Sequence, residues 1–221
     1  MKARPILFNT DMVKAILAGQ KTQTRREAKN IVAAPRFRSG WKAVRADGKA
    51  AVSTDAPAGL LGEACPFGQP GDLLYVREAW QGPLLPMEKA EEYWHHGDEK
   101  YESPEYCEYA ADGGPRPEYI DCDENLRHGW RPSIHMPRWA SRLTLEITDV
   151  RVERLQDIDR GDCMAEGCPF PNMAVNDPIG WFSGLWGSIY SNWDANPWVW
   201  VVEFKVHHCN VDALLRKREA A

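Results

Sequence analysis

Runs with a repeat of two dominate the chain and limit what it can fold into. RPILF (4–8) is a short apolar run suited to a strand, and GDLLYVREAW (71–80) is a strand opened by a Gly-Asp turn. Alternation across 71–80 puts Leu74, Val76, Glu78 and Trp80 on one face and Leu73, Tyr75, Arg77 and Ala79 on the other. Glu78 therefore shares a face with apolar residues. SRLTLEIT is apolar at 143, 145 and 147, and VRVERL at 150 and 152. The phase slips by one between them, which predicts a turn or bulge near Thr148 and Asp149. WVWVVEFKV (198–206) is a last strand, with Trp198, Trp200, Val202 and Phe204 on one face.

Helix signals lie between these runs, so the expected class is α+β. Asn9 or Thr10 caps a helix whose Val13, Ile16 and Leu17 share a face, and Gly19 supplies its left-handed stop. Asp159 to Glu166 reads as a short helix stopped by Gly167, weakened by Gly161. Asp177-Pro178 is a cap and first-turn pair for a helix with Phe182, Leu185, Trp186 and Ile189 on one side. Tryptophans 181, 186, 198 and 200 are expected in the core. Two stretches, at about 31–65 and 83–130, break the pattern and are expected as insertions in a single domain. The first is rich in Ala, Gly and Pro, with Asp47-Gly48 placed for a hairpin. The second is acidic and aromatic, without sustained periodicity, and is expected as a loop-rich lid with a short strand at YCEYAAD.

The net charge of -5 argues against a protein that coats nucleic acid, but the charge is uneven. Residues 1–50 carry twelve Lys or Arg against three acids, and residues 88–124 carry thirteen Asp or Glu against three bases. A local basic site on an acidic chain suits a small polar ligand or a short piece of nucleic acid better than a long duplex. No apolar run approaches the ~18 residues of a membrane span, so no membrane partner and a cytoplasmic location are expected. The six cysteines include no CxxC pair and are expected as free thiols. Cys163, Cys168, His207, His208 and Cys209 fit no standard ligand spacing, so neither metal nor cofactor is expected. Oligomeric state is not readable from the sequence.

The densest cationic stretch is GQKTQTRR (19–26), just beyond the first helix. As a cationic turn it would complement the helix dipole, with Arg25 the residue most easily left to solvent. Gly19, Lys21 and Arg26 also have the spacing GxKxxxxR, followed by the GD-opened strand that carries Glu78. With the phrases CPFGQPGDLLYVREAW, SIHMPRWASRLTLEITDVRVERLQDI, AEG and LWGSIYSNWDANPWVWVVEFKV, this resembles the ASCH domain family, in particular its longer phage- or prophage-encoded members. The resemblance covers most of the chain outside 31–60 and 83–130. It implies a PUA-like fold, a small mixed or antiparallel β-barrel with flanking helices. It also implies one of two functions: RNA or modified-base binding, or hydrolysis of N(4)-acetylcytidine to cytidine and acetate. In the hydrolases a Lys, a Thr three residues later and a Glu on the following strand carry the chemistry. The matching positions are Lys21, Thr24 and Glu78, with Arg26 completing the signature.

Amide cleavage without a metal needs a nucleophile, a base and a donor to the oxyanion. Lys21 can activate the Thr24 hydroxyl if burial and the charges of Arg25 or Arg26 lower its pKa, and if the segment turns helically so that the two side chains meet. Glu78 should have a raised pKa unless Lys21 or Arg26 pairs with it, and would hold the base and protonate the departing amine. The other assignment has Glu78 activating water while Lys21 and Thr24 hold the oxyanion. Trp80 is a candidate platform for a base, with core packing as the alternative, and His135 is a candidate ligand contact, with a packed or surface histidine as the alternative. The expected function is thus a metal-independent amidohydrolase acting on N(4)-acylated cytosine nucleosides. The alternative is a noncatalytic protein that binds RNA or a modified base. A nuclease lacks an evident histidine pair or carboxylate cluster.

Overall fold

A computed structural model describes residues 1–29, 31–33, 42–45, 51–53, 65–97, 99–120, 125–170 and 177–220. Its strands are β1 (Ala3–Leu7), β2 (Gln23–Glu27), β3 (Ile31–Ala33), β4 (Lys42–Arg45), β5 (Ala51–Ser53), β6 (Leu73–Arg77), β7 (Trp80–Gln81), β8 (Glu108–Tyr109), β9 (Glu118–Ile120), β10 (Leu126–His128), β11 (Thr144–Arg154) and β12 (Trp198–His207). Its helices are α1 (Thr10–Leu17), α2 (Met87–His96), α3 (Arg160–Ala165), α4 (Pro178–Tyr190) and α5 (Val211–Glu219). The class is α+β, as the alternating runs and caps imply.

The main sheet is mixed, in the order β1-β6-β11-β12-β2. Bonds from Leu73 to Lys2 and from Phe8 to Arg77 run β1 parallel to β6, whereas β12 and β2 pair antiparallel, Thr24 opposite Val202 and Arg26 opposite Trp200. Among the described residues the order does not close into a barrel. β3, β4 and β5 form a separate antiparallel sheet. Asp47-Gly48 lies between β4 and β5, where the hairpin was expected, but outside the described residues.

The chain forms two compact units. The first comprises Met1–Lys2, Ala15–Leu73 and Glu146–Val206, and the second Ala3–Lys14, Leu74–Leu145 and His207–Ala221. The core of the first unit gathers Leu155, Ile158, Cys163, Phe182, Trp186, Val199 and Val201, with Trp181 packed against it. In the second unit Trp80, Tyr109, Met136 and Ala140 form a smaller cluster.

The helix ends follow local chemistry. Asn9 Oδ1 accepts from the Met12 amide at 2.9 Å. The Asp159 carboxylate accepts from the Asp162 amide at 2.7 Å while Asp162 reaches back to the Asp159 amide, a reciprocal cap for the short α3. Asp177 accepts from the Gly180 amide at 3.0 Å, with Pro178 in the first turn of α4.

Several expectations need correction. The run 71–80 is two strands in different sheets, because the chain leaves the main sheet after Arg77 and pairs again at Trp80 with Tyr109. The phase slip at Thr148 and Asp149 is present, with Ile147 and Val150 both buried, but β11 runs through it unbroken. The segment 83–130, expected as a loop-rich lid, holds α2, a ten-residue amphipathic helix. α5, capped by Asn210, adds a helix to those read from the sequence.

Gly167 is the tightest point beside Lys21. Its φ of +95° is a left-handed conformation, and a Cβ there would lie 2.8 Å from Ala15 Cβ and 3.2 Å from Lys21 Cβ. Strain and overlap both oppose a side chain. Gly167→Ala is expected to lower stability by about 2 kcal/mol or more in urea unfolding; a loss within error of zero would contradict this packing.

Candidate active site

The first unit holds Lys21, Thr24 and Arg26. After α1 the amides of Gln20 and Lys21 both donate to the Ala15 carbonyl, at 2.9 and 3.1 Å, and Gly19 has φ +71°. The expected stop is therefore present. The chain then straightens at once: Lys21 bridges Glu166, the Thr22 amide donates to Ala165 O at 2.8 Å, and β2 begins at Gln23. Side chains alternate along such a segment, so Lys21, Gln23 and Arg25 face one way and Thr24 and Arg26 the other. The helical turn needed for Lys21 to meet Thr24 is absent, because pairing of β2 with β12 holds the backbone extended.

Lys21, Gln23 and Arg25 enter a buried network of charges. Lys21 Nζ donates to Glu166 Oε2 at 2.7 Å and to the Glu166 carbonyl at 2.8 Å, with its side chain only 1% exposed. Arg25, expected to be the most readily solvated of the cations, has a side chain with no exposed surface. Its guanidinium lies 2.8 Å from Asp162, 3.0 Å from Glu153 and 3.5 Å from Glu166. Asp162 also accepts from Gln23 at 3.1 Å and from Arg151 at 3.0 Å, and Arg151 pairs in addition with Glu153 and Glu203. Burial holds the Lys21 amine below its ordinary 10.5, aided by the charges of Arg26 and Arg25 and opposed by Glu166. Burial alone would raise the Asp162 carboxyl, but the charge of Arg25 and the bonds from Gln23, Arg25 and the Asp159 backbone outweigh it and leave it low.

The second unit holds Glu78, Trp80 and His135. Glu78 follows β6, its carboxylate 1% exposed, and its amide lies 3.2 Å from Met136 Sδ. Its charge partner is Arg142, which grips both carboxylate oxygens at 3.0 and 3.1 Å and donates to both oxygens of Asp112 at 2.7 and 2.8 Å. The guanidinium carbon lies 3.9 Å from the centre of the Tyr109 ring, whose hydroxyl donates to Ala140 O at 2.7 Å. Burial raises the Glu78 carboxyl above 4.5, Asp112 adds to the rise, and Arg142 opposes it. The carboxylate is deeper than the guanidinium, 1% against 20% exposed, so loss of water weighs more on the acid.

Trp80 is not presented as a platform. It is 1% exposed, edge-on to Trp139 at 5.6 Å, with the Arg131 guanidinium 5.6 Å from its ring centre. His135 ends a single 3₁₀ turn, Ser133–His135, and is exposed. Cys163 is buried in apolar surroundings that push its thiol up to about 12. Among the described residues no three His, Cys, Asp or Glu side chains are grouped to hold a metal ion. The five described cysteines form no disulfide, and Cys122 lies outside the described residues. No described helix is long and apolar enough to cross a membrane.

Sequence reasoning missed Glu166, Asp162, Glu153 and Arg142. Glu166 falls in the phrase AEG, and Asp162 is detectable as the third residue of a helix opened by Asp159. Nothing local marks Arg142 as the partner of a carboxylate 64 residues away. Comparison with family models, curated proteins and solved structures finds no match.

The raised Glu78 carboxyl sets a pH dependence. Above about 4.5 the folded chain holds this proton more tightly than the unfolded chain, so this contribution to stability is lost as pH rises through the folded pKa. In urea unfolding from about pH 4 to pH 7, the wild type should show a downward component with rising pH that Glu78→Gln removes. Identical pH slopes in the two proteins would contradict the raised pKa.

Proposed function

We propose that this chain is a metal-independent amidohydrolase that removes the acyl group from N(4)-acylated cytosine nucleosides, on a PUA-like fold of the ASCH type. The resemblance of GxKxxxxR and its companion phrases supports this reading and assigns the chemistry to Lys21, Thr24 and Glu78. One physical observation carries it: Lys21 and Glu78 are both 1% exposed, and burial moves each toward its neutral form, the amine downward and the carboxyl upward. A neutral amine can accept a proton and a protonated carboxyl can give one, and amide hydrolysis near neutral pH needs both.

The extended backbone of β2 supports water, not Thr24, as the nucleophile, since Lys21 and Thr24 face opposite ways. With water attacking, a base takes its proton as the water oxygen bonds to the acyl carbon, the C–N bond breaks, and an acid protonates the nitrogen as it leaves in cytidine. The roles that the resemblance assigns make Lys21 of the first unit the candidate base and Glu78 of the second the candidate acid. Acetate is the other product from N(4)-acetylcytidine.

A second reading, noncatalytic binding of RNA or a modified base, is favoured by one specific observation. Both groups are already committed to charge partners, Lys21 to Glu166 at 2.7 Å and Glu78 to Arg142 through two bonds. Such pairs also serve structure alone.

Release of cytidine from N(4)-acetylcytidine separates the two. Turnover is expected in the wild type and a loss of about 100-fold or more in Lys21→Met and in Glu78→Gln, with folding checked by thermal melts. Thr24→Val should keep measurable turnover if water attacks, and its complete inactivity would return the nucleophile to Thr24. No wild-type turnover above Lys21→Met, together with oligonucleotide binding that weakens with salt, would replace the hydrolase with the binding protein.

A further inference from the structure

The second unit contains a cavity that the chemistry of Lys21, Thr24 and Glu78 does not use. β7 and β8 pair antiparallel, Trp80 opposite Tyr109 and Gln81 opposite Glu108. Neighbours along a strand point to opposite faces, so Trp80 and Tyr109 enter the core cluster while Gln81 and Glu108 share the other face. Gln81 and Glu108 line a cavity of about 650 Å³, within the usual range for small-molecule sites.

Gln81 is only 2% exposed, and its Oε1 has no hydrogen-bond partner among the described residues. A buried acceptor left unpaired costs stability that an apolar residue of the same size would avoid. The last side-chain torsion of glutamine is soft, so the carbonyl can turn toward the cavity that the residue lines. Glu108, its cross-strand partner, lines the same cavity. Arg131 also lines the cavity, its backbone fixed to Trp80 by bonds of 2.8 and 3.2 Å and its guanidinium 5.6 Å from the Trp80 ring centre. Tyr93 and Tyr119 add aromatic surface, while Glu118 is drawn toward His128 at 3.4 Å.

We propose that this cavity binds a flat amino-oxo heterocycle of the guanine kind. Its adjacent N–H donors face Gln81 Oε1 and the Glu108 carboxylate, and its carbonyl edge faces Arg131. Two acceptors side by side suit an N–H edge, and a guanidinium suits a carbonyl with a neighbouring ring nitrogen. Tyr93 and Tyr119 supply surface for the ring. The inference does not rest on the hydrolase reading, because Lys21, Thr24 and Glu78 do not line the cavity and guanosine has no acyl group to lose.

Calorimetric titration of the full chain with guanosine, inosine and adenosine tests this. Guanosine should bind. Inosine, which lacks the exocyclic amine, should bind about tenfold or more weakly, and adenosine, which lacks both the carbonyl and the ring N–H, should not bind measurably. Gln81→Met keeps the volume and removes the unpaired acceptor, so the ligand-free melting temperature should hold or rise while guanosine affinity falls about tenfold. Arg131→Gln, at an exposed position, should weaken binding without loss of fold. The proposal is overturned if guanosine does not bind, if adenosine binds as tightly, or if Gln81→Met binds guanosine as the wild type does. A lowered melting temperature for Gln81→Met with binding intact would mark the glutamine as structural, and also overturns it.

Discussion

The first unit depends on a buried guanidinium. Arg25 has no exposed side-chain surface, and around it stand Glu153 of β11, Asp162 of α3 and Glu166, just after that helix. Withdrawing such a charge from water costs several kcal/mol per ion, recovered only with good geometry and with hydrogen bonds to the remaining atoms. Asp162 meets that condition by two routes, since it also completes the cap of α3 and accepts from Gln23. The result fixes position more than it adds stability. Removing Arg25 would take the shared counter-charge from Glu153, Asp162 and Glu166 at once, so the guanidinium ties β2 to β11 and α3.

Lys21 inherits its environment from this arrangement. Glu166 bonds it at one oxygen and leans toward Arg25 with the other, so a single carboxylate serves two cations. Burial, which removes the compensation of water, is the chief physical origin of the lowered amine; Glu166 opposes it and the charges of Arg26 and Arg25 add to it. The arrangement in the second unit has the opposite sign. There Arg142 is shared between Glu78 and Asp112, and the deeper carboxylate is the group left short of stabilisation.

What the sequence revealed was local, and what it concealed was pairing. The face of Leu74, Val76, Glu78 and Trp80 is buried as alternation required, and the caps at Asn9, Asp159 and Asp177 form because each needs only a side chain and an amide two or three residues on. Gly19 and Gly167 were legible as left-handed stops for the same reason. The fate of Arg25 was not, since a cation in a basic cluster looks solvated until carboxylates 128 to 141 residues away arrive beside it. Lys21 and Thr24 were read as meeting across a turn, a reading that local spacing permits and that pairing with β12 overrides. α2 escaped because its ten amphipathic residues are flanked by acidic, Gly- and Pro-rich stretches, so the periodicity is not sustained across 83–130. Trp80 shows the limit of residue type as a guide: the indole that looked suited to a base is spent on the core with Trp139.

Lys21 is buried, short of stabilisation and dependent on Glu166. Titration of the Lys21 side chain by NMR, in the wild type and in Glu166→Gln, measures this directly. The amine should titrate below its ordinary 10.5 in the wild type and lower still when the carboxylate is neutralised. A Lys21 that titrates like an exposed lysine in both proteins would contradict the claim, and with it the supply of a neutral amine for hydrolysis.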